Sequence, residues 1–286
     1  MSKFFELKMN ATLPKTLDLY IYTDVESDYY DWWSGKMVES QTSAEHIRKE
    51  LEAAGDIEQI NIYINSLGGS VMEGMAIYNQ LRRHKAHKTV YIDGFACSIA
   101  SVIAMAGDEV IMPSNTMMFI HAPVMWIHGH SSDLRKAADE LDKISLSTMQ
   151  AYLQKAGGKL TTEKLSEMYE AETYWSAAEC ISFGLADKMA DADIDIEAAI
   201  AALEASEKDG KGVFRQNLDR LKTAAAKAKL PEQPASNVPK EEKQPEQVKT
   251  PVLQSTAQTE LSEQPVTVGA DFLSAIENRI NEFFKI

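Results

Sequence analysis

The stretch KTVYIDGFACSIASVIAMAG, residues 88–107, decides how this chain folds. Its first part is rich in Val, Ile and Tyr and reads as a strand covered on both faces. The chain then turns through Gly94 into an apolar helix that starts at Ser98, and the small residues Ala96, Cys97 and Ala100 let that turn pack closely. A serine at such a start meets free backbone N–H groups and the positive end of a helix dipole, which suits an oxyanion. An isolated serine there also suits a plain N-cap. Its neighbours separate the two readings.

Working upstream, QINIYIN (residues 59–65) predicts a second strand, followed by Ser66, Leu67, Gly68 and Gly69. A helix comes next, opened by a capping box of Ser70 and Glu73 and carrying Met75 and Tyr78 on its apolar face. Two successive units of strand, tight turn and helix imply parallel strands joined by right-handed crossovers, so both turns share the carboxyl edge of one sheet. Gly69 and Ser98 are therefore expected to be neighbours. Further strands are predicted over residues 17–25, 109–112 and 116–120, the last leading into His121. Thr42 and Glu45 read as a capping box for a helix bearing Ile47 and Leu51 and stopped by Gly55. The aromatic group Tyr29, Tyr30, Trp32 and Trp33 is read as packed beneath a loop.

Downstream of His121 a loop carrying His128 and His130 precedes a long helix from Asp133 to about Gln154, with Leu134, Ala138, Leu141, Ile144 and Tyr152 at helical spacing. Gly157 and Gly158 end it. Thr161 opens a shorter helix, and a last helix is predicted over residues 177–183 with Gly184 as its stop.

With 44% hydrophobic residues in a chain of 286, one large domain with an appendage is expected. The formal charge of −14 argues against binding a phosphate backbone, so no nucleic-acid partner is expected. Two cysteines exclude a disulfide framework. No apolar run is long enough for a bilayer and no basic leader opens the chain, which predicts a cytoplasmic protein with no membrane partner. Beyond about residue 207 the composition shifts: six of the nine prolines lie within residues 231–265, and no aromatic occurs over residues 215–271. Such a segment buries too little apolar area to offset its ordering entropy. Residues 1–205 are thus expected to fold as one domain, 206–268 to be a largely disordered linker with a helix near 213–229, and 269–286 to form a short amphipathic helix through Phe272, Ile276, Ile280 and Phe283.

Ser98, His121 and an acidic residue near Glu172 occur in the order nucleophile, base, orienter, with Gly68 and Gly69 adding an exposed backbone donor. The set is chemically complete: an imidazole takes the hydroxyl proton, a carboxylate stabilises the imidazolium, and backbone N–H groups hold the tetrahedral oxyanion. It requires neither metal nor cofactor. Asp187 and Glu170 are alternative acids. Cys97 reads as a small buried filler, and His128 with His130 lacks a cysteine or carboxylate at metal-ligand spacing. His84 and His87 sit among cations at a helix end, and His46 lies in an exposed first turn.

Four stretches, YINSLGG (63–69), GFACSIASVIAMAG (94–107), MFIHAP (118–123) and WSAAECISFGLAD (175–187), resemble the proteolytic subunit of the Clp protease, and more closely its phage-encoded relatives, the head-maturation proteases. The resemblance spans roughly residues 17–190. It implies an α/β fold of repeated β-β-α units as in ClpP and crotonases, with the long helix as a protruding handle that interlocks rings. It also implies a self-assembling serine endopeptidase with Ser98 as nucleophile, His121 as base and an oxyanion hole from the N–H groups of Gly69 and Ile99. Its substrates would be capsid or scaffold proteins, met in the host cytoplasm or an assembling prohead. Two positions depart from the pattern: Leu67 stands where proline is usual, implying a less rigid loop, and Glu172 where aspartate is usual. The competing readings are a housekeeping Clp subunit working with a separate ATPase, acyl-CoA chemistry on a crotonase-like fold, and a non-catalytic scaffold.

Overall fold

Long runs of alternating β-branched residues set the centre of the molecule. In a computed structural model, describing residues 5–206 and 219–224, they form the strands of an eight-stranded sheet. In chain order the elements are β1 (Phe5–Met9), β2 (Thr16–Ile21), β3 (Tyr29–Asp31), β4 (Lys36–Val38), α1 (Ala44–Ala54), β5 (Gln59–Ser66), α2 (Val71–Arg83), β6 (His87–Cys97), α3 (Ile99–Ala104), β7 (Glu109–Met112), β8 (Met117–Ile120), α4 (Ser131–Ala156), α5 (Thr162–Ala171), β9 (Thr173–Ser176), α6 (Ala177–Ser182), β10 (Lys188–Met189) and α7 (Ile196–Ser206).

The sheet runs β1-β2-β5-β6-β7-β10, parallel from β2 onward, with β1 antiparallel at one edge. Strand β6 serves two partners: Thr89–Tyr91 pairs with β7, whereas Phe95–Cys97 pairs with β8, which in turn carries β9 antiparallel. The parallel order puts the turns after β5, β6 and β8 at one carboxyl edge, as the repeated strand-turn-helix plan predicts.

One face of the sheet presents Leu19, Ile62, Ile64, Val90 and Ile92, all at 0–1% exposure, to Ile47, Ile77, Leu81 and Val102 of the helices. Each such aliphatic side chain contributes roughly 1.5–3 kcal/mol relative to remaining exposed. A second, smaller cluster lies nearer the carboxyl edge: Leu67, Phe95, Cys97, Met117 and Phe119 with Ile196 and Leu203 of α7 and Leu221.

Several expectations need correction. Gly94 is not a turn, because β6 continues to Cys97; a side chain there would meet Asn65 Oδ1 at 2.4 Å and Ala199 Cβ at 2.9 Å, so the glycine permits close approach. The first helix is capped by Ser43, whose side chain accepts from the His46 N–H, while Thr42 Oγ1 accepts from the Glu26 N–H and Glu45 pairs with Arg48. Ser70 does cap α2, but the Glu73 carboxylate accepts from the Ala44 N–H at 2.7 Å and so ties two helices together. The aromatic group is not packed beneath a loop: Trp32 and Trp33 project from the β3-β4 hairpin at 89% and 100% exposure.

Helix α4 extends from Ser131 to Ala156, with Gly157 in the left-handed region at its end. It is buried toward its C-terminal end through Thr148, Met149, Ala151 and Tyr152, whereas Leu134 and Leu146 are exposed. Residues 219–224 are helical, within the helix expected near 213–229, but they do not stand apart from the folded domain: Leu221 is fully buried in the second cluster. The proline-rich remainder and the amphipathic helix predicted over 269–286 lie outside the described residues.

Candidate active site

Three consecutive features place Ser98. Strand β6 ends at Cys97, the Ser98 N–H donates to the Phe119 carbonyl at 2.8 Å, and α3 begins at Ile99. To turn from strand into helix this sharply, Ser98 takes φ 52°, ψ −128°, a conformation costly for a residue with a Cβ. Its side chain makes no capping bond, so the plain N-cap reading does not describe it. Behind it the Ser98 carbonyl accepts from the Ser101 N–H at 3.0 Å and from Ser101 Oγ at 2.6 Å, and Ser101 Oγ lies 2.6 Å from the Tyr152 hydroxyl. This buried bracing network was not anticipated from the sequence, because Tyr152 reads only as one more apolar position of α4.

The turn after β5 comes up against it. A Cβ on Gly68 would stand 2.8 Å from the Ser98 Cβ and 3.3 Å from the Ile99 nitrogen, and φ at Gly68 and Gly69 is 106° and 136°. Both glycines are required by close approach and by backbone conformation. Val25 bridges this turn, its N–H donating to the Gly68 carbonyl at 2.7 Å and its carbonyl accepting from the Ser70 N–H at 2.7 Å. In that pattern the Gly69 N–H is directed away from Val25. Leu67 does not leave the loop loose: it is 2% exposed within the second cluster, so hydrophobic burial supplies the restraint that a proline ring would give.

His121 follows β8 directly and shares a small pocket with Ser98, Val71, Ile99 and Pro123, floored by Thr148, Tyr152 and Tyr169. Burial lowers the affinity of the imidazole for a proton, the Glu172 charge and hydrogen bonding with the Ala122 backbone oppose this, and the Arg220 charge adds to the lowering. The net shift is downward, which favours the neutral base.

Glu172 directly precedes β9, whose ladder with β8 ends where Thr173 faces Ile120, and its charge acts on His121. Glu172 ends α5 in the left-handed region, φ 43°, and its Oε2 lies 3.4 Å from Arg220 Nη1. Among the described residues no hydrogen bond joins His121 to Ser98 or to Glu172. The alternative acids fall elsewhere. Asp187 accepts from the Val110 N–H at 2.7 Å and from Lys155 Nζ at 2.6 Å, at the amino end of β7, and Glu170 is on the exposed side of α5. Cys97 is wholly buried, and burial pushes its thiol up, away from thiolate chemistry.

The family model described as Clp protease matches residues 34–193, more than half of the chain. The chain belongs to the Clp protease family. It is 32% identical over 162 residues to the ATP-dependent Clp protease proteolytic subunit of Deinococcus radiodurans, a match covering 55% of this chain and 78% of that protein. The mixed α/β sheet with flanking helices is a Clp-family fold, and membership makes the chain a protease of the serine peptidase type. The stretch that holds Gly68, Gly69, Ser98, His121 and Glu172 lies wholly inside the matched Clp region. Among the described residues no group of three or more His, Cys, Asp or Glu is arranged to hold a metal ion, and no helix is long and apolar enough to cross a membrane.

Proposed function

We propose that this Clp-family protease is an endopeptidase in which Ser98 is the nucleophile, His121 the general base and Glu172 the acid that orients the imidazole. The N–H groups of Gly69 and Ile99 receive the oxyanion. What carries the reading is the Ser98 backbone: an uncapped hydroxyl on a strained strand-to-helix turn, beside a half-buried imidazole and a glycine turn that no side chain could occupy. In the first step the Ser98 oxygen attacks the scissile carbonyl while His121 takes its proton; His121 then protonates the leaving amine, and water repeats the sequence to release the acyl group. A fluorophosphonate probe should label Ser98 in the wild type and nothing in S98A; labelling of another serine rejects the assignment.

The same reading makes residues 1–205 the catalytic domain and the chain beyond about 206 a linker leading to a terminal helix that binds elsewhere. It also makes the protein a ring-forming homo-oligomer, with the exposed first half of α4 as the handle covered by a neighbouring subunit. Leu134, Leu141 and Ile144 support this, since an apolar stripe at helical spacing that is not buried within the subunit calls for a partner. L141D should reduce the assembly to smaller species in light scattering; an unchanged mass removes the handle from the interface.

The likeness of the four motifs to phage head-maturation proteases supports capsid or scaffold proteins as the substrate. The name of the Deinococcus radiodurans relative favours the second reading, a subunit dependent on a separate ATPase. Incubating the purified protein with a scaffold or capsid precursor separates them: cleavage without nucleotide supports the first, and turnover of folded substrate only with an added ATPase supports the second.

A further inference from the structure

We propose that residues 219–224 form an autoinhibitory strap, in which Arg220 holds the Glu172 carboxylate in an ion pair and so withholds it from His121. The inference rests on Ser98, His121 and Glu172 being the catalytic set. It begins with an anchor. Leu221 is fully buried among Leu67, Phe95, Met117, Phe119 and Leu203, so the strap is fastened to the strand that carries the base and to the turn that faces the nucleophile. The neighbouring Arg220 then reaches Glu172 at 3.4 Å. The strap closes one side of a recess lined by Met117, Thr173, Tyr174, Ser176 and Glu179 on β8, β9 and α6.

The Glu172 charge acts on His121, yet the carboxylate is engaged by the guanidinium, and among the described residues it makes no hydrogen bond to the imidazole. A carboxylate shared with a cation stabilises an imidazolium less and fixes its tautomer less well. The charges that act on His121 are Glu172 from the end of α5 and Arg220 from the strap; Glu179 on α6 and Asp219 on the strap line the same recess. Both partners of the ion pair are about half exposed, at 53% and 48%, so the contact is weak and screened. That suits a brake released by binding rather than a permanent lock. A partner that draws on the chain beyond residue 224 would lift Arg220 and return Glu172 to the base, which couples the downstream chain to catalysis.

The test uses the full-length chain and peptide hydrolysis as a function of pH. R220Q should raise kcat/KM at pH 8 about two- to fivefold, the range expected for one exposed ion pair. Loss of the cation should also move the acid limb of the profile to higher pH, because His121 then binds its proton more readily. R220K keeps the charge and should stay near the wild type. An R220Q enzyme with unchanged or lower kcat/KM and an unmoved acid limb overturns the strap. E172Q distinguishes that failure from failure of the catalytic assignment: if E172Q is crippled while R220Q matches the wild type, only the strap falls, and if E172Q hydrolyses peptide like the wild type, both fall.

Discussion

The two ends of the parallel strands use the same residue types in opposite ways. At the amino edge Lys88 and Lys155 are each paired with a carboxylate. Lys88, 5% exposed, donates from Nζ to the Ala86 carbonyl at 2.9 Å and lies 3.0 Å from Asp108, which also accepts from the Lys88 N–H at 2.9 Å. Lys155 and Asp187 close a similar set with Val110. At the carboxyl edge Ser98 leaves its hydroxyl uncommitted, two glycines and a serine hold left-handed backbone, and His121 is half-buried and, among the described residues, makes no hydrogen bond to Glu172. A fully paired charge holds strands in place; a reactive group needs an unmet bonding capacity, and the fold confines that cost to one edge.

The sharpest way to break this contrast is at Ser98. S98A and H121A should each lower kcat by about 10³-fold or more while leaving the thermal transition unchanged within a few degrees, since residual turnover would come only from binding and the oxyanion donors. A large loss of stability in S98A would place Ser98 among the structural residues. Comparing carboxylates across the sheet comes next. E172Q should cost roughly 10²- to 10⁴-fold in kcat with little effect on folding. D187N should do the reverse, keeping kcat but destabilising by about 1–3 kcal/mol in urea unfolding, because it weakens charge-assisted bonds to Val110 and Lys155. If D187N loses activity and E172Q does not, the edges have exchanged roles.

The smallest expected effect is a pH dependence at the amino edge. Burial alone would raise the Asp108 carboxyl, but hydrogen bonds from the Lys88 amide and ammonium, with the Lys88 and His87 charges, hold it below the usual range. A depressed carboxylate stabilises fully above its unfolded value, near pH 4, and that contribution is lost as pH falls through the lower native value. The urea midpoint of the wild type should therefore drop more steeply between pH 5 and 3 than that of D108N. Parallel curves would show that Asp108 adds nothing at this edge.

Much of the site was legible in residue order. Short-range patterns carried it: alternation for β5 and β6, glycines before α2, and a serine between a buried strand and an apolar helix. Those signals are local, so a linear reading captures them, and the parallel plan they imply brought the glycine turn to Ser98, although it is Gly68 that meets Ser98 and Gly69 packs on Val25. What the sequence left open depended on partners distant along the chain. Glu172 was preferred to Asp187 from the resemblance alone; in the fold the Glu172 charge acts on His121, whereas Asp187 pairs with Lys155. Gly94 looked like a turn because only the packed structure brings Asn65 and Ala199 onto it. Leu67 looked like a weakened loop until the second cluster closed around it. Arg220 lay in a helix expected near 213–229 with no partner legible, and only the burial of Leu221 brought it to Glu172. Residue types along the chain determine which chemistry is available; the sum of many weak, long-range burials decides which of several equivalent groups will perform it.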